Sequence, residues 1–286
     1  MRLAGAELVE TREILPGEWL QTLHAPAVAV GARAGQYVHV RPLDPSGLSL
    51  RRPFPINTAD PTAGVFTIHV RAAGPGGDLL RRLRTGDVLE VTGPFGRPFE
   101  VDSRARHLLL VAGEGGMAAL RFLVDEAIRD GRSVVLAAGV AGSRAVYPSS
   151  LLPDEVEYVV ATQDGSLGHR GSVLDLVGRF EAWADQSFAA GPPEMLAALA
   201  HLATGRRGRL GVAQLGRKRG GGRQASAGSR EARRKAFLQV AVPQEIGCPA
   251  GACLGCVVMG SGGTALRACR EGPVFASDEL AWEGEP

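Results

Sequence analysis

Aromatic residues are scarce in this chain: three Trp, three Tyr and nine Phe among 286 positions. No apolar run approaches the ~20 residues that would span a bilayer, so no membrane partner is expected. The first residues carry no long apolar core ahead of a cleavage site, so no secretory leader is expected and the default location is cytoplasmic. Cysteine is also rare, with four in all. In a cytoplasmic chain, so few thiols point to metal or redox chemistry before structural disulfides. A dominant charge of one sign is missing too, because 32 basic residues face 30 acidic ones. Whole-chain charge therefore gives no argument for nucleic acid. The one strong asymmetry lies between Ala203 and Lys235, where eleven Arg or Lys accompany a single acid, Glu231, and leave the rest of the chain net acidic.

Glycine and proline are abundant, at 39 and 18 residues, and the 45% hydrophobic content is enough for a sizeable core. The length fits two or three domains rather than one. Residues 1–102 read as β-rich. Apolar, β-branched runs at 38–40, 65–71 and 88–91 are separated by Pro42, Pro45-Ser46-Gly47, Gly74-Pro75-Gly76-Gly77 and Gly93-Pro94-Phe95-Gly96, a pattern of short strands and turns that predicts an antiparallel barrel or sandwich. From His107 the pattern changes. Continuous apolar runs at 107–111, 133–137 and 157–161 read as strands buried on both faces, and 117–128, 172–180 and 194–202 read as helices. That alternation predicts a parallel α/β unit over 103–202. Residues 203–236 are rich in Gly, Arg, Ser, Gln and Ala and read as a flexible linker or insertion. A short strand at 238–242 then opens a cysteine-bearing unit, 237–286.

The cysteines fall as Cys248-x4-Cys253-x2-Cys256-x12-Cys269. The first three have the plant-type ferredoxin spacing, with a fourth further on, which predicts one [2Fe–2S] cluster. Three thiolates can approach one cluster from a short loop only if the loop curls tightly. Gly247, Gly251 and Gly255 could supply positive φ there and turn backbone N–H groups toward the sulfurs, offsetting negative charge. A zinc site is the competing reading, but structural zinc sites usually pair two short cysteine knuckles, and only one is present. Two disulfides are disfavoured by the compartment argument.

With the stretch Cys248–Cys256 (CPAGACLGC) and Cys269-Arg270-Glu271-Gly272-Pro273-Val274-Phe275 in view, the chain resembles the electron-transfer subunit of heteromeric, NAD-linked dihydroorotate dehydrogenase, in the ferredoxin-reductase superfamily. The resemblance covers nearly everything but 203–236. It implies an N-terminal antiparallel β-barrel that binds FAD, a parallel α/β NAD-type domain and a small C-terminal [2Fe–2S] domain. It also implies a catalytic FMN-type dehydrogenase partner in a heterotetramer, in which dihydroorotate is oxidised for pyrimidine biosynthesis; no substrate base is evident here. By the same resemblance Arg52, Pro53, Phe54 and Pro55 form the first flavin motif, with Arg52 suited to the pyrophosphate. Pro55 stands where the family has Ser, and lacks both hydroxyl and N–H. His69, Val70 and Arg71 form the second flavin segment, and Gly76 and Gly77 lie beside the pyrophosphate, with Gly77 in place of Thr.

Gly113-Glu114-Gly115-Gly116 follows a strand and precedes a helix, where a nucleotide pyrophosphate would meet helix N–H groups. Glu114 and Ala119 depart from the family's Gly-Gly-x-Gly-x-x-Pro pattern, and Ala190 replaces the cysteine of its Cys-Gly-Pro. Ala161-Thr162-Gln163-Asp164-Gly165-Ser166 matches a family loop. Two alternatives remain open: a subunit of a ferredoxin–NADP, sulfide or hydrogenase-type oxidoreductase, or a redox scaffold that no longer uses NAD. The basic stretch has no aromatics for base stacking, so it is read as a solvated tether. Replacing residues 205–230 with a short Gly/Ser linker is expected to leave FAD content, iron content and electron transfer near wild type. Loss of partner binding, in a protein whose binding weakens with salt, would instead make the basic charges an interaction surface.

Overall fold

A computed structural model describes residues 2–42, 51–72, 74–203, 237–243 and 245–282; the basic stretch 204–236 lies outside them. Six strands close into an antiparallel barrel: β1 (Arg2–Leu15), β2 (Glu18–His24), β3 (Tyr37–Pro42), β4 (Arg52–Asp60), β5 (Val65–Arg71) and β6 (Val88–Phe95), in the order β1-β2-β5-β4-β3-β6. Gly17, at φ +80°, turns β1 into β2. Side chains alternate across the pleat, so Leu23, Val38, Val40, Phe66, Ile68, Val70, Leu89 and Val91 fill the barrel without exposure. β3 is unusual because Tyr37 and His39, on its other face, are also buried. A one-turn helix, α1 (Pro26–Ala29), closes one end, and α2 (Gly74–Arg81) follows β5. The turn expected at Gly74-Pro75-Gly76-Gly77 is the first turn of α2. Gly74 enters it at φ +75°, and Pro75 is tolerated there because first-turn N–H groups have no helical partner.

The second unit is built on β7 (His107–Ala112), α3 (Met117–Arg129), β8 (Ser133–Val140), β9 (Glu157–Thr162), β10 (His169–Arg170), α4 (Val173–Phe180), β11 (Gln186–Ala190) and a helix, α5, at 193–203. The sheet order is β10-β9-β8-β7-β11-β12-β15, with β12 at Leu238–Ala241 and β15 at Val274–Ala276. β7, β8, β9, β11 and β12 run parallel, and β15 pairs antiparallel to β12. Two strands from the cysteine-bearing segment thus complete the α/β sheet. On α3, Met117, Leu120, Val124 and Ala127 repeat at helical spacing and bury one face. Ser172 and Asp175 form a capping box at the start of α4. No helix among the described residues is long and apolar enough to cross a membrane.

The units share an interior. One apolar cluster runs from the barrel residues Phe66 and Val91 through α3 to Leu108, Leu110 and Phe188 of the sheet. The segment between barrel and sheet is held by two buried glutamines that act like strand backbone. Gln239 accepts from the Glu100 N–H at 2.9 Å and donates back to its carbonyl at 2.5 Å. Gln186 accepts from the Asp102 N–H at 2.8 Å and donates to the Glu100 carbonyl at 3.0 Å. The last piece, β13 (Val257–Met259) and β14 (Ala265–Arg267), is a small hairpin beside the cysteines. Phe188 is fully buried and meets Phe99 edge to face, at 5.5 Å between ring centroids. Phe188→Ala is expected to destabilise the protein by ~3–5 kcal/mol, read as a fall in denaturation midpoint, because the cavity left behind cannot fully collapse.

Candidate redox sites

The cysteine loop leaves β12, passes Ile246 and curls back on itself before β13. Gly251 adopts φ +75° and Leu254 φ +57°, the only positive φ of a non-glycine residue among those described. The expected glycine roles are therefore corrected: of Gly247, Gly251 and Gly255, only Gly251 has positive φ. A Cβ on Gly247 or Gly255 would instead stand 3.7 Å from Cys253 Sγ, so these two glycines keep the space beside that sulfur open. Leu254 takes the left-handed conformation in their place, at a steric cost of ~1–2 kcal/mol.

The four thiols form two pairs. The Cys253 N–H donates to Cys248 Sγ at 3.4 Å, and the Cys269 N–H donates to Cys256 Sγ at 3.4 Å. N–H groups of Cys253, Ala250 and Ala252 converge on Cys248 and pull its thiol down to about 6. Burial pushes Cys269 up to about 11, with the Cys256 thiol adding to the shift. Among the described residues, no three His, Cys, Asp or Glu side chains converge as a single-ion site would need. All four cysteines are free thiols. Two pairs of thiols, with N–H donors aimed at sulfur, suit a two-iron centre with two cysteines per iron better than one tetrahedral zinc. The pairs differ in depth: Cys256 and Cys269 are buried, while Cys253 is exposed. Beside them, Arg267 grips Glu271 at 2.7 Å and holds its carboxyl down to about 2.

The candidate flavin residues meet where two barrel strands part. β4 pairs with β5 only from Ile56 opposite Ile68 to Asp60 opposite Val65. Beyond Ile56, Arg52 to Pro55 pair only with β3, through Tyr37↔Pro55, Val38↔Phe54, His39↔Pro53 and Val40↔Arg52. Beyond Ile68, His69, Val70 and Arg71 pair only with β2. The two strands thus leave a mouth whose lips are Arg52, Pro53, Phe54 and Pro55 on one side and His69, Val70 and Arg71 on the other. Gly76 and Gly77 of α2 close one end. A Cβ on Gly76 would collide with the Arg52 guanidinium, and one on Gly77 with the Arg71 carbonyl. Such a cradle, with room only for glycine beside an arginine, fits an anionic group such as a pyrophosphate. Val70 points its side chain into the barrel core, so only its backbone faces the mouth.

Sequence reasoning did not find Glu18. Its carboxylate lies 2.7 Å from His69 Nε2 and 3.2 Å from Arg71 Nε. The close approach of His69 is the largest influence on Glu18 and holds its carboxyl below the usual range. Arg71 also reaches Glu114, at 2.9 Å. Glu114, the acid that departs from the family's glycine pattern, is thus ion-paired across to the barrel. The loops expected to hold a nucleotide do meet. The sheet order reverses between β7 and β11, and open α/β sheets bind ligands at such a switch point. The Gly113 N–H donates to the Ala190 carbonyl at 2.8 Å, and a Cβ on Gly116 would collide with that same carbonyl. Asp164, at the end of β9, accepts from the Ser166 N–H and hydroxyl at 2.9 and 2.6 Å.

Residues 244–281 match the family described as the iron-sulfur cluster binding domain of dihydroorotate dehydrogenase B. Among curated relatives, the electron transfer subunit of dihydroorotate dehydrogenase B (NAD(+)) from Geobacillus kaustophilus is 31% identical, over 98% of this chain and 97% of the relative. The protein of the same name from Desulforamulus reducens is 29% identical, over 97% of this chain and 98% of the relative. Among solved structures, the NADH-dependent reduced ferredoxin-NADP oxidoreductase superposes with a TM-score of 0.76 at 24% identity, covering 98% of this chain and 91% of the other. A ferredoxin reductase of carbazole 1,9a-dioxygenase gives 0.62 at 20% identity, over 71% of this chain and 65% of the other. These two likenesses establish a ferredoxin-reductase-like fold. With full-length identity at this level, and the match placed over the paired cysteines, the chain belongs to the family of dihydroorotate dehydrogenase B (NAD(+)) electron transfer subunits.

Proposed function

We propose that this chain passes electrons between NAD and the flavin of a catalytic dehydrogenase partner, through FAD in the barrel mouth and a [2Fe–2S] cluster on the four cysteines, in the oxidation of dihydroorotate for pyrimidine biosynthesis. The observation that carries this reading is the place of Tyr37. Its backbone pairs with Pro55 at the barrel mouth, while its ring packs with Cys256 and Cys269. A single strand thus separates the flavin residues from the cysteine site.

When bound, FAD exchanges two electrons with a nicotinamide and single electrons with an iron–sulfur centre. The chain's residues supply binding and placement. Arg52, held against Gly76, meets a pyrophosphate with charge-assisted hydrogen bonds. Pro53, Phe54 and Pro55 present an edge without the N–H donors of the two prolines, so contacts to the flavin ring come from carbonyls and from the backbone of His69, Val70 and Arg71. The loops at 113–116 and 190–192 hold the nicotinamide nucleotide, with backbone N–H groups at the start of α3 facing its phosphates. Cys248, Cys253, Cys256 and Cys269 hold the irons. Around Cys253 the surface exposes Leu254 and Met259, 61% and 51% accessible, and this apolar rim faces the catalytic partner in a heterotetramer. Domains at 1–102, 103–202 and 237–286 with a linker at 203–236, and a cytoplasmic location, complete the reading.

The alternative of a scaffold without NAD use draws on Ala190, which has no thiol to offer a nicotinamide. Anaerobically purified protein, alone and with its catalytic partner, decides. Two irons and two sulfides per chain with bound FAD, and NADH-driven reduction of both centres, are expected. Stoichiometric zinc would sink the cluster assignment, and NADH that reduces neither centre would leave the scaffold. Arg52→Ala is expected to weaken FAD binding by ~10–100-fold, the equivalent of one lost charge-assisted contact, measured by flavin release on dilution.

A further inference from the structure

Tyr37 has a hydroxyl that nothing in the reading above employs. The side chain is 3% exposed, and Oη is buried without a hydrogen-bond partner among the described residues. Buried hydroxyls rarely stay unpaired, so an orphan of this kind asks for an acceptor. The protein around the ring offers little. Ile246, Ala268, Cys256 and Cys269 form one apolar cluster with it, and Phe95 and His39 lie at 5.7 Å between ring centroids. Cys256 and Cys269 share this cluster, yet neither Sγ accepts from Oη among the described residues, so the acceptor it lacks would be a sulfur of the bound centre. A phenol is neutral at physiological pH, so Oη carries a proton that it can donate toward sulfur.

We infer that Tyr37 Oη donates a hydrogen bond to sulfur at the inner end of the cysteine site and so sets the reduction potential of the centre. The inference rests on the [2Fe–2S] reading of those cysteines. A donor to cluster sulfur stabilises the reduced state, which carries one more negative charge, and raises the potential. Tyr37 is therefore a tuning residue contributed by the flavin barrel rather than by the cluster loop. Its position on β3 is fixed by the ladder to Pro55 and Phe95, so the donor cannot drift as the loop breathes. The ring also stands close over Gly96, where a Cβ would come within 3.0 Å of it.

The test is Tyr37→Phe in the full-length, FAD-loaded protein, which removes the hydroxyl and keeps the ring. Iron, sulfide and FAD contents are expected to stay at wild-type levels. The midpoint potential of the cluster, followed by its paramagnetic signal in an anaerobic titration, should move negative while the flavin potentials hold. In deuterated buffer, the reduced wild-type centre should show coupling to an exchangeable deuteron that Tyr37→Phe lacks. An unchanged cluster potential would overturn the assignment, as would flavin and cluster potentials that shift together. Should Tyr37→Phe fail to load iron, Tyr37→Leu takes its place, read by the cluster potential: a negative shift with the flavin potentials held supports the inference, and an unchanged potential ends it. Wild-type protein that holds no two-iron centre would instead refute the cluster reading itself, a result distinct from any of these.

Discussion

The arrangement depends on the double burial of β3. Most barrel strands present one face to the core and one to solvent or a neighbouring loop. In β3, Val38 and Val40 fill the barrel while Tyr37 and His39 face outward and are still covered. Covering Tyr37 brings the cysteine segment directly onto the barrel, while the rings of Tyr37 and Phe95 lie beside His39. Phe95 from β6 completes the patch, and the Arg97 N–H reaches the Gly272 carbonyl at 2.5 Å just beyond it. Burial leaves His39 favouring its neutral form, with the Arg51 charge acting in the same direction. Around Tyr37 and His39 the outer face of the strand is thus an uncharged interior surface, and the charge of Arg41, next along it, is met by Glu90.

Docking on one strand would still allow the cysteine segment to pivot. Its ends prevent that. β12 and β15 are stitched into the α/β sheet beside β11, so the loop between them hangs from a rigid frame at both sides. Arg97 from the barrel grips Glu279 at 2.8 Å, past β15. The sheet is tied to the barrel in turn by Gln186 and Gln239, whose amides pair the connecting backbone at Glu100 and Asp102. The ion pair of Arg71 with Glu114 adds a polar contact between barrel and sheet unit. Half-exposed pairs of this kind contribute little stability in water, so apolar continuity through Phe99, Phe188 and α3 holds the joint while the charges set its register.

The cysteine spacing was fully legible in the sequence, because ligand chemistry constrains residue type and interval within one short segment. So were the buried strands at 107–111 and 133–137, where apolar runs leave no other reading. The first hairpin was not. β1 carries Glu, Thr and Arg on its outer face, and this dilutes the alternation that Ala6 and Leu8 provide. β11 was hidden for a related reason: its sequence opens with Gln186 and Ser187, which look like loop residues yet are buried because the Gln amide replaces a strand partner. α2 was masked by its Gly-Pro-Gly-Gly start. At the sites, the motif residues could be read along the chain, but Glu18 and Tyr37 could not, since they join through strand pairing across the barrel. Only one hint of Tyr37's place was present, a polar His39 set between Val38 and Val40 in a run that would otherwise be wholly apolar.

The exposure of the four cysteines gives the proposed site a direction. Cys256 and Cys269 are buried against the barrel, on the side of Tyr37 and, one ladder rung further, Pro55 at the mouth. Cys253 and Leu254 are exposed at the opposite end, where the loop bulges outward through Leu254's left-handed turn. That strained turn points an apolar side chain at solvent, an arrangement that hydrophobic burial within this chain would never select. It makes sense if the surface is covered by another protein, in which case the same turn that curls the loop around the sulfurs also supplies the contact that places the partner. Binding and docking would then be consequences of one backbone conformation, with the inner thiols facing one redox group and the outer pair the next.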